Sequence, residues 1–255
     1  MTLEKIEYQL GRRVTAFSTL RGECDESDPY GGFSVCDYTG DAAVHVAECR
    51  AALCRDLGVT PDRLILPRQT HSARVAVIRD MPDIPSLDGV DALVTDIPGV
   101  ALGINTADCV PVLLADDEAG VIGAVHSGWR GTVAKISAEA VKAMVTAGAD
   151  VKRIKAVIAP SICFYCYEVG QEVADEFLRV FSYSPELIDR SQSKPHVSLA
   201  AAVFATLIDA GLDEDNIEFT DECTLCGDNL FSARNLGINS GRMVSVIMLR
   251  EADSD

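Results

Sequence analysis

The chain has 255 residues, 48% of them apolar, and a formal net charge of −17. That acidity argues against sequence-independent binding of DNA or RNA, where clustered Lys and Arg must neutralise phosphates, though one arginine can still hold a small anion. No apolar run approaches the roughly 20 residues that span a bilayer, and residues 1–13 lack the apolar core of a secretory signal, so a cytoplasmic protein with no membrane partner is expected.

No stretch reads as a linker and no internal repeat is evident, so a single domain over 1–255 is expected. In chain order, residues 41–57 read as a helix with Asp41 as N-cap and Val44, Ala47, Ala51, Leu53 and Cys54 as its apolar stripe. Short strands follow at 64–71, 73–78, 91–96, 100–105, 110–116 and 121–126, the last four nearly continuous in apolar residues, as strands buried on both faces are. The segment 127–131 turns into a helix over 132–147, with Ile136, Ala140, Met144 and Val145 on one side. A strand at 155–159, helices at 168–181 and 198–211, and strands at 217–222 and 243–249 complete the pattern. Strands and helices mix without strict βαβ alternation, which favours an α+β sandwich over a doubly wound fold.

Polar clusters stand at the ends of the apolar strands, where scaffolds usually present reactive groups. Three of them each contain one good Zn²⁺ ligand: Gln69-Thr70-His71, Asn105 to Cys109, and His126 to Gly131. Two imidazoles and a thiolate would leave a fourth position open, as in catalytic rather than structural zinc sites. A fourth cluster runs from Cys163 to Glu168.

The strings RQTH (68–71), DALVT (91–95), TADCVPVLL (106–114), AVHSGWRG (124–131), IAPSI (158–162), CYEVG (166–170) and the late FSARN…GR (231–242) resemble the YfiH-type family, also called laccase-domain or polyphenol oxidase-like. The resemblance covers about residues 15–250. It implies a mixed-sheet α/β/β/α sandwich related to the catalytic domain of cytotoxic necrotizing factor. It also implies one Zn²⁺ per chain on His71, Cys109 and His126, copper being the less favoured metal. The implied activity is phosphorolysis of adenosine, inosine, guanosine and methylthioadenosine, with adenosine deamination on the same site. The expected partners are then nucleoside and phosphate, not nucleic acid; oligomeric state is open.

Within that frame Arg130 offers a planar donor fork for phosphate at the expected start of the 132–147 helix, whose dipole would help. Gln69, Asn105 and Thr106 are further candidates for binding substrate or phosphate. Trp129 has two readings, stacking on a base or filling the core. Asp108 and Glu168 are the candidate catalytic carboxylates; Asp108 would shuttle a proton or orient a ligand, and either residue has the alternative of capping or pairing. The pairs Cys163/Cys166 and Cys223/Cys226 suit a four-cysteine zinc in type, but the family pattern places a cysteine in each segment without a second metal, so buried thiols are the default expectation. The chain departs from the family at Arg21-Gly22-Glu23-Cys24, Ser34-Val35-Cys36 and Cys49-Arg50, which bears on substrate preference but not on the ligands.

Competing readings are a cysteine hydrolase using Cys109 with a histidine base, a copper-dependent polyphenol oxidase, and a binding module without turnover. Four histidines cannot supply a multicopper cluster, which weakens the oxidase reading.

Overall fold

The computed structural model describes residues 3–25, 27–81 and 86–251. The chain opens with two strands absent from the expectation above, β1 (Lys5–Tyr8) and β2 (Val14–Thr19), which pair antiparallel. Helix α1 (Ala43–Leu57) follows. Ala42, not Asp41, is its N-cap, and the Asp41 carboxylate instead pairs with His45 Nδ1 at 2.9 Å. The buried face of α1 is Val46, Cys49, Leu53, Cys54 and Leu57, whereas Val44 is exposed. The apolar stripe is therefore rotated from the one expected, because Ala and Val on a helix surface do not by themselves say which side faces the sheet.

Next come β3 (Leu64–Ile65), β4 (Val75–Ile78), β5 (Ala92–Thr95), β6 (Ala101–Thr106), β7 (Val110–Asp116) and β8 (Val121–Ser127). The helix expected over 132–147 starts earlier and breaks: α2 (Trp129–Val133) and α3 (Ile136–Thr146) are separated at Lys135, whose φ is +60°. Then follow β9 (Lys155–Ile158), α4 (Gln171–Val180), the two-stranded β10 (Ile188–Asp189) and β11 (His196–Val197), α5 (Leu199–Asp209), β12 (Ile217–Phe219), α6 (Ala233–Leu236) and β13 (Met243–Leu249).

The strands form a five-stranded sheet, β1-β2-β13-β6-β3, and a six-stranded sheet, β12-β9-β7-β8-β5-β4. Period-two alternation explains their stacking. In β13, Ile247 and Leu249 face the inter-sheet core with Leu102, Ile104, Leu113 and Ile122, while Val244, Val246 and Met248 face outward onto Leu53 and Leu57 of α1. In β7, Leu113 and Ala115 face inward; Val112 and Leu114 meet the layer of α3, α4 and α5. The order is thus helix, sheet, sheet, helices: the expected α/β/β/α sandwich. Among the described residues no helix is long and apolar enough to cross a membrane.

Asp116 closes β7 as a fully buried carboxylate that accepts from the backbone N–H of Asp150 at 2.8 Å and from Arg153 Nη2 at 3.1 Å. Burial opposes its ionisation, but these donors outweigh burial and lower its pKa. A depressed folded-state pKa contributes stability above the unfolded value near 4, and that contribution disappears as pH falls below it. Asp116→Asn is expected to lower unfolding free energy by about 1–3 kcal/mol at neutral pH. The deficit should shrink towards about pH 3; urea unfolding at both pH values checks this.

Candidate metal centre

Two passages between the sheets and one strand end meet in space. The chain leaves β3 in one sheet for β4 in the other, and His71 lies on that passage; it leaves β6 for β7 in the same way, with Cys109 on the turn. His126, next to last in β8, sits opposite Pro111 of β7. The donor atoms of His71, Cys109 and His126 lie within 4.8 Å of one another, forming a group able to hold a metal ion. Cys109 Sγ is 3.6 Å from His71 Nε2, and the two imidazole rings meet edge to face at 4.9 Å. His126 is buried and His71 exposed, so the group is open to solvent on one side.

Close approach here requires a glycine. A Cβ on Gly128 would lie 2.6 Å from His71 Cδ2 and 3.0 Å from Cys109 Sγ. The backbone is also held in unusual conformations, with φ of +62° at His71 and +83° at Asp108. Such left-handed positions cost non-glycine residues about 1–3 kcal/mol each and persist only where the surroundings impose them.

Asp91 imposes the first. Its fully buried carboxylate accepts from the backbone N–H groups of His71 (2.9 Å), Ser72 (2.8 Å) and Thr70 (3.2 Å), and its Oδ1 lies 2.7 Å from His126 Nδ1. Burial works against its charge, but the hydrogen bond and charge of His126 win and bring the carboxyl down to about 2. An ionised carboxylate only accepts, so Nδ1 of His126 carries a proton, and Nε2 is the nitrogen a metal would take in place of its proton. Burial likewise raises the Cys109 thiol, yet the His126 charge and hydrogen bonds from both imidazoles bring it down to about 6. Burial lowers His126, and the charges of Cys109 and Asp91 carry it up to about 9. The group therefore favours the thiolate, the form of cysteine that binds metals and attacks electrophiles.

Asp108 holds the second unusual conformation. Its Oδ1 accepts from Thr224 Oγ1 and its Oδ2 from the backbone N–H of Arg234, both at 2.7 Å, and its own carbonyl accepts from Ile162 N–H at 2.9 Å. Both carboxylate oxygens thus fix backbone beside Cys109. The Glu168 carboxylate is engaged in an ion pair: its Oε1 accepts from Lys194 Nζ at 2.7 Å, and that ammonium lowers its pKa, while its backbone carbonyl accepts from Arg234 Nη1 at 2.9 Å. The Gln69 side chain clamps the backbone of Asn105, donating from Nε2 to its carbonyl (2.7 Å) and accepting its N–H at Oε1 (2.8 Å). Asn105 Oδ1 and Thr106 Oγ1 are buried without hydrogen-bond partners among the described residues. Asn105 also lines a cavity of about 900 Å³ with Tyr38, Arg50, Leu66 and Arg68, a cavity that none of the three metal-group residues lines.

Trp129 packs against the outer core, and the Arg130 guanidinium lies 4.2 Å above its ring. The dipole expected at Arg130 is not there as foreseen, because the residue belongs to the five-residue α2 and the longer helix begins only at Ile136. Two contributors were missed in the sequence. Asp91 heads an apolar strand, a position where a charge needs an explanation, and that signal was available. Tyr167 lies within the CYEVG string; burial raises its hydroxyl and the Cys109 charge adds to the shift, so a neutral phenol stands near the thiolate.

Against known proteins, a family model described as multi-copper polyphenol oxidoreductase laccase matches residues 15–250. The chain is 45% identical over 251 residues to a protein named adenosine deaminase RL5 from an unknown prokaryotic organism, covering 94% of this chain and 96% of that one. It is 38% identical over 248 residues to a purine nucleoside phosphorylase of Bacteroides thetaiotaomicron, covering 92% and 90%. The crystal structure of Bacillus licheniformis hypothetical protein YfiH superposes with a TM-score of 0.90 at 26% identity, covering 97% of each chain. YlmD of Geobacillus stearothermophilus gives 0.88, also at 26% identity, covering 96% and 94%. The chain therefore belongs to the multi-copper polyphenol oxidoreductase laccase family, the YfiH-type family that its strand-end motifs resemble.

Proposed function

We propose that this chain is a zinc-dependent purine nucleoside phosphorylase that also deaminates adenosine, with His71, Cys109 and His126 as the metal ligands. The observation that carries the reading is the convergence of two imidazoles and a thiolate, with Asp91 fixing the tautomer of one imidazole and no fourth protein ligand in the group among the described residues. The chain is an enzyme of the kind that its relatives' names describe. The donor set fits zinc, which takes nitrogen and sulfur ligands and keeps an open position at catalytic sites. Copper oxidation of phenols needs many more imidazoles; of the other two histidines, His45 is on α1 paired with Asp41 and His196 is on β11.

When bound there, zinc supplies Lewis acidity and makes water a stronger acid. The chain's own residues do the rest. Arg130 presents an exposed guanidinium, held over Trp129, to phosphate. Asn105 lines the neighbouring cavity, which is of the size that small-molecule sites have. Tyr167 offers a phenol proton, and Asp108 orients Cys109 through the loop it fastens.

Chromatography of products from adenosine, with and without phosphate, tests this. Zinc-loaded protein is expected to yield adenine and ribose 1-phosphate with phosphate, and inosine and ammonia by hydrolysis. His71→Ala should lose both activities by more than the roughly 100-fold that loss of an outer ligand partner costs. Retention of both, or no base and no ammonia from zinc-loaded protein that binds adenosine, would sink the reading. The 3.6 Å contact between Cys109 Sγ and His71 Nε2 favours a second reading, a cysteine hydrolase. A covalent adduct on Cys109 in active, metal-free protein would select it.

A further inference from the structure

The nine cysteines are not all core thiols. Cys163 and Cys166 lie on the loop that follows β9, Cys223 and Cys226 on the loop that follows β12, and only Cys223 of the four is buried. Strands β9 and β12 run parallel at the sheet edge, so both loops leave from the same end. The ladder continues into them through a bridge between Ser161 and Cys223, with Thr224 N–H donating to the Ser161 carbonyl at 3.2 Å. All four sulfurs consequently lie within 4.8 Å of one another. A tetrahedral tetrathiolate with metal–sulfur bonds of about 2.3 Å has sulfurs about 3.8 Å apart, so closing on an ion requires only a small contraction.

The backbone is arranged as a metal-binding turn requires. Cys163 N–H donates to Cys223 Sγ at 3.2 Å, and the amides of Cys226 and Leu225 also face that sulfur. Such donors stabilise thiolate charge and would be wasted on a thiol in an apolar core. Each Cys-x-x-Cys segment is a closed turn: Cys166 N–H bonds to Cys163 O at 3.1 Å, and Gly227 N–H to Cys223 O at 2.9 Å. A Cβ on Gly227 would meet Cys223 O at 2.4 Å, so the second turn tolerates only glycine after its last cysteine. Four thiols that merely filled space would need neither the convergence nor these amides.

We propose that Cys163, Cys166, Cys223 and Cys226 bind a second zinc ion in a closed, structural tetrathiolate site, separate from the His71–Cys109–His126 group. Metal binding there releases thiol protons and ties two loops that otherwise touch through few bonds. It also bears on the first site, because Thr224, adjacent to Cys223, donates to Asp108 beside Cys109.

Elemental analysis of the full chain, purified under reducing conditions with zinc supplied, is expected to find two zinc ions per chain. Cys109→Ala should retain one, and Cys163→Ala/Cys226→Ala should also retain one. Cobalt titrated into metal-free Cys109→Ala should produce intense thiolate-to-metal and visible bands of a tetrahedral four-sulfur site. This spectrum keeps the test decisive even if the double variant fails to fold. One zinc per chain in the wild type, absent from Cys109→Ala, would overturn the proposal. So would a cobalt spectrum without the four-sulfur signature, or disulfides among the four cysteines in place of metal.

Discussion

Asp91→Ala is expected to be the most damaging single substitution near the metal centre, lowering unfolding free energy by about 3–5 kcal/mol. The fully buried carboxylate serves three backbone N–H groups and the Nδ1 proton of His126. Removing it strands those donors away from water, at about 1–3 kcal/mol for each that finds no replacement. It also releases the left-handed His71 backbone, so strain is relieved by moving a ligand out of position. Asp91→Asn separates the two roles. The amide keeps shape and an acceptor oxygen but carries no charge and turns N–H groups toward donors, so His126 loses its tautomer control. Zinc affinity should fall about 10–100-fold, read by competition with a chelator, with most of the fold intact by circular dichroism. Asp91→Asn protein that holds zinc as tightly as wild type would remove Asp91 from the site.

Gly128→Ala is expected to be nearly the reverse case, large for the site and small for the fold. Its φ is −74°, so an alanine suits the backbone. The added methyl meets His71 Cδ2 at 2.6 Å, closer than real Cβ contacts allow, and Cys109 Sγ at 3.0 Å, which is tight. One ligand must move by several tenths of an ångström. Misplacement approaching 1 Å costs about 100-fold in rate, so kcat/KM for phosphorolysis should fall by roughly that factor, with Tm of the metal-free protein almost unchanged. Unchanged zinc content and turnover would mean that His71 and Cys109 do not act together.

The sequence carried the ligands and the layered fold unequally. The three donors stood at the ends of recognisable apolar strands, and β7, β8 and β13 were readable because strands buried on both faces are apolar almost throughout, with Ser245 the one polar residue inside β13. β2 was not, because Thr15, Ser18 and Thr19 interrupt VTAFST; inside the fold Ser18 pairs with Ser245 at 2.6 Å, and Thr19 accepts from Val244 N–H. The break at Lys135 had no glycine or proline to announce it. Motif membership named Gln69, Asp108 and Glu168 but could not say where their hydrogen bonds go, and each is engaged by backbone or by an ion pair. The four cysteines suited a zinc in type, but their convergence was not legible: Cys163 and Cys223 are 60 residues apart and meet because a short edge strand pairs parallel to β9.

Because His71 and Cys109 lie on the two passages from one sheet to the other, their donors converge only when the sheets are docked. Separating the layers therefore dismantles that convergence. Ligation is therefore linked to the global unfolding equilibrium: free metal at 100 times its dissociation constant adds about 2.7 kcal/mol. Chelation should displace the whole cooperative transition to lower temperature rather than loosen one segment, and amide exchange should slow in the inter-sheet core, far from the ion, as metal is added.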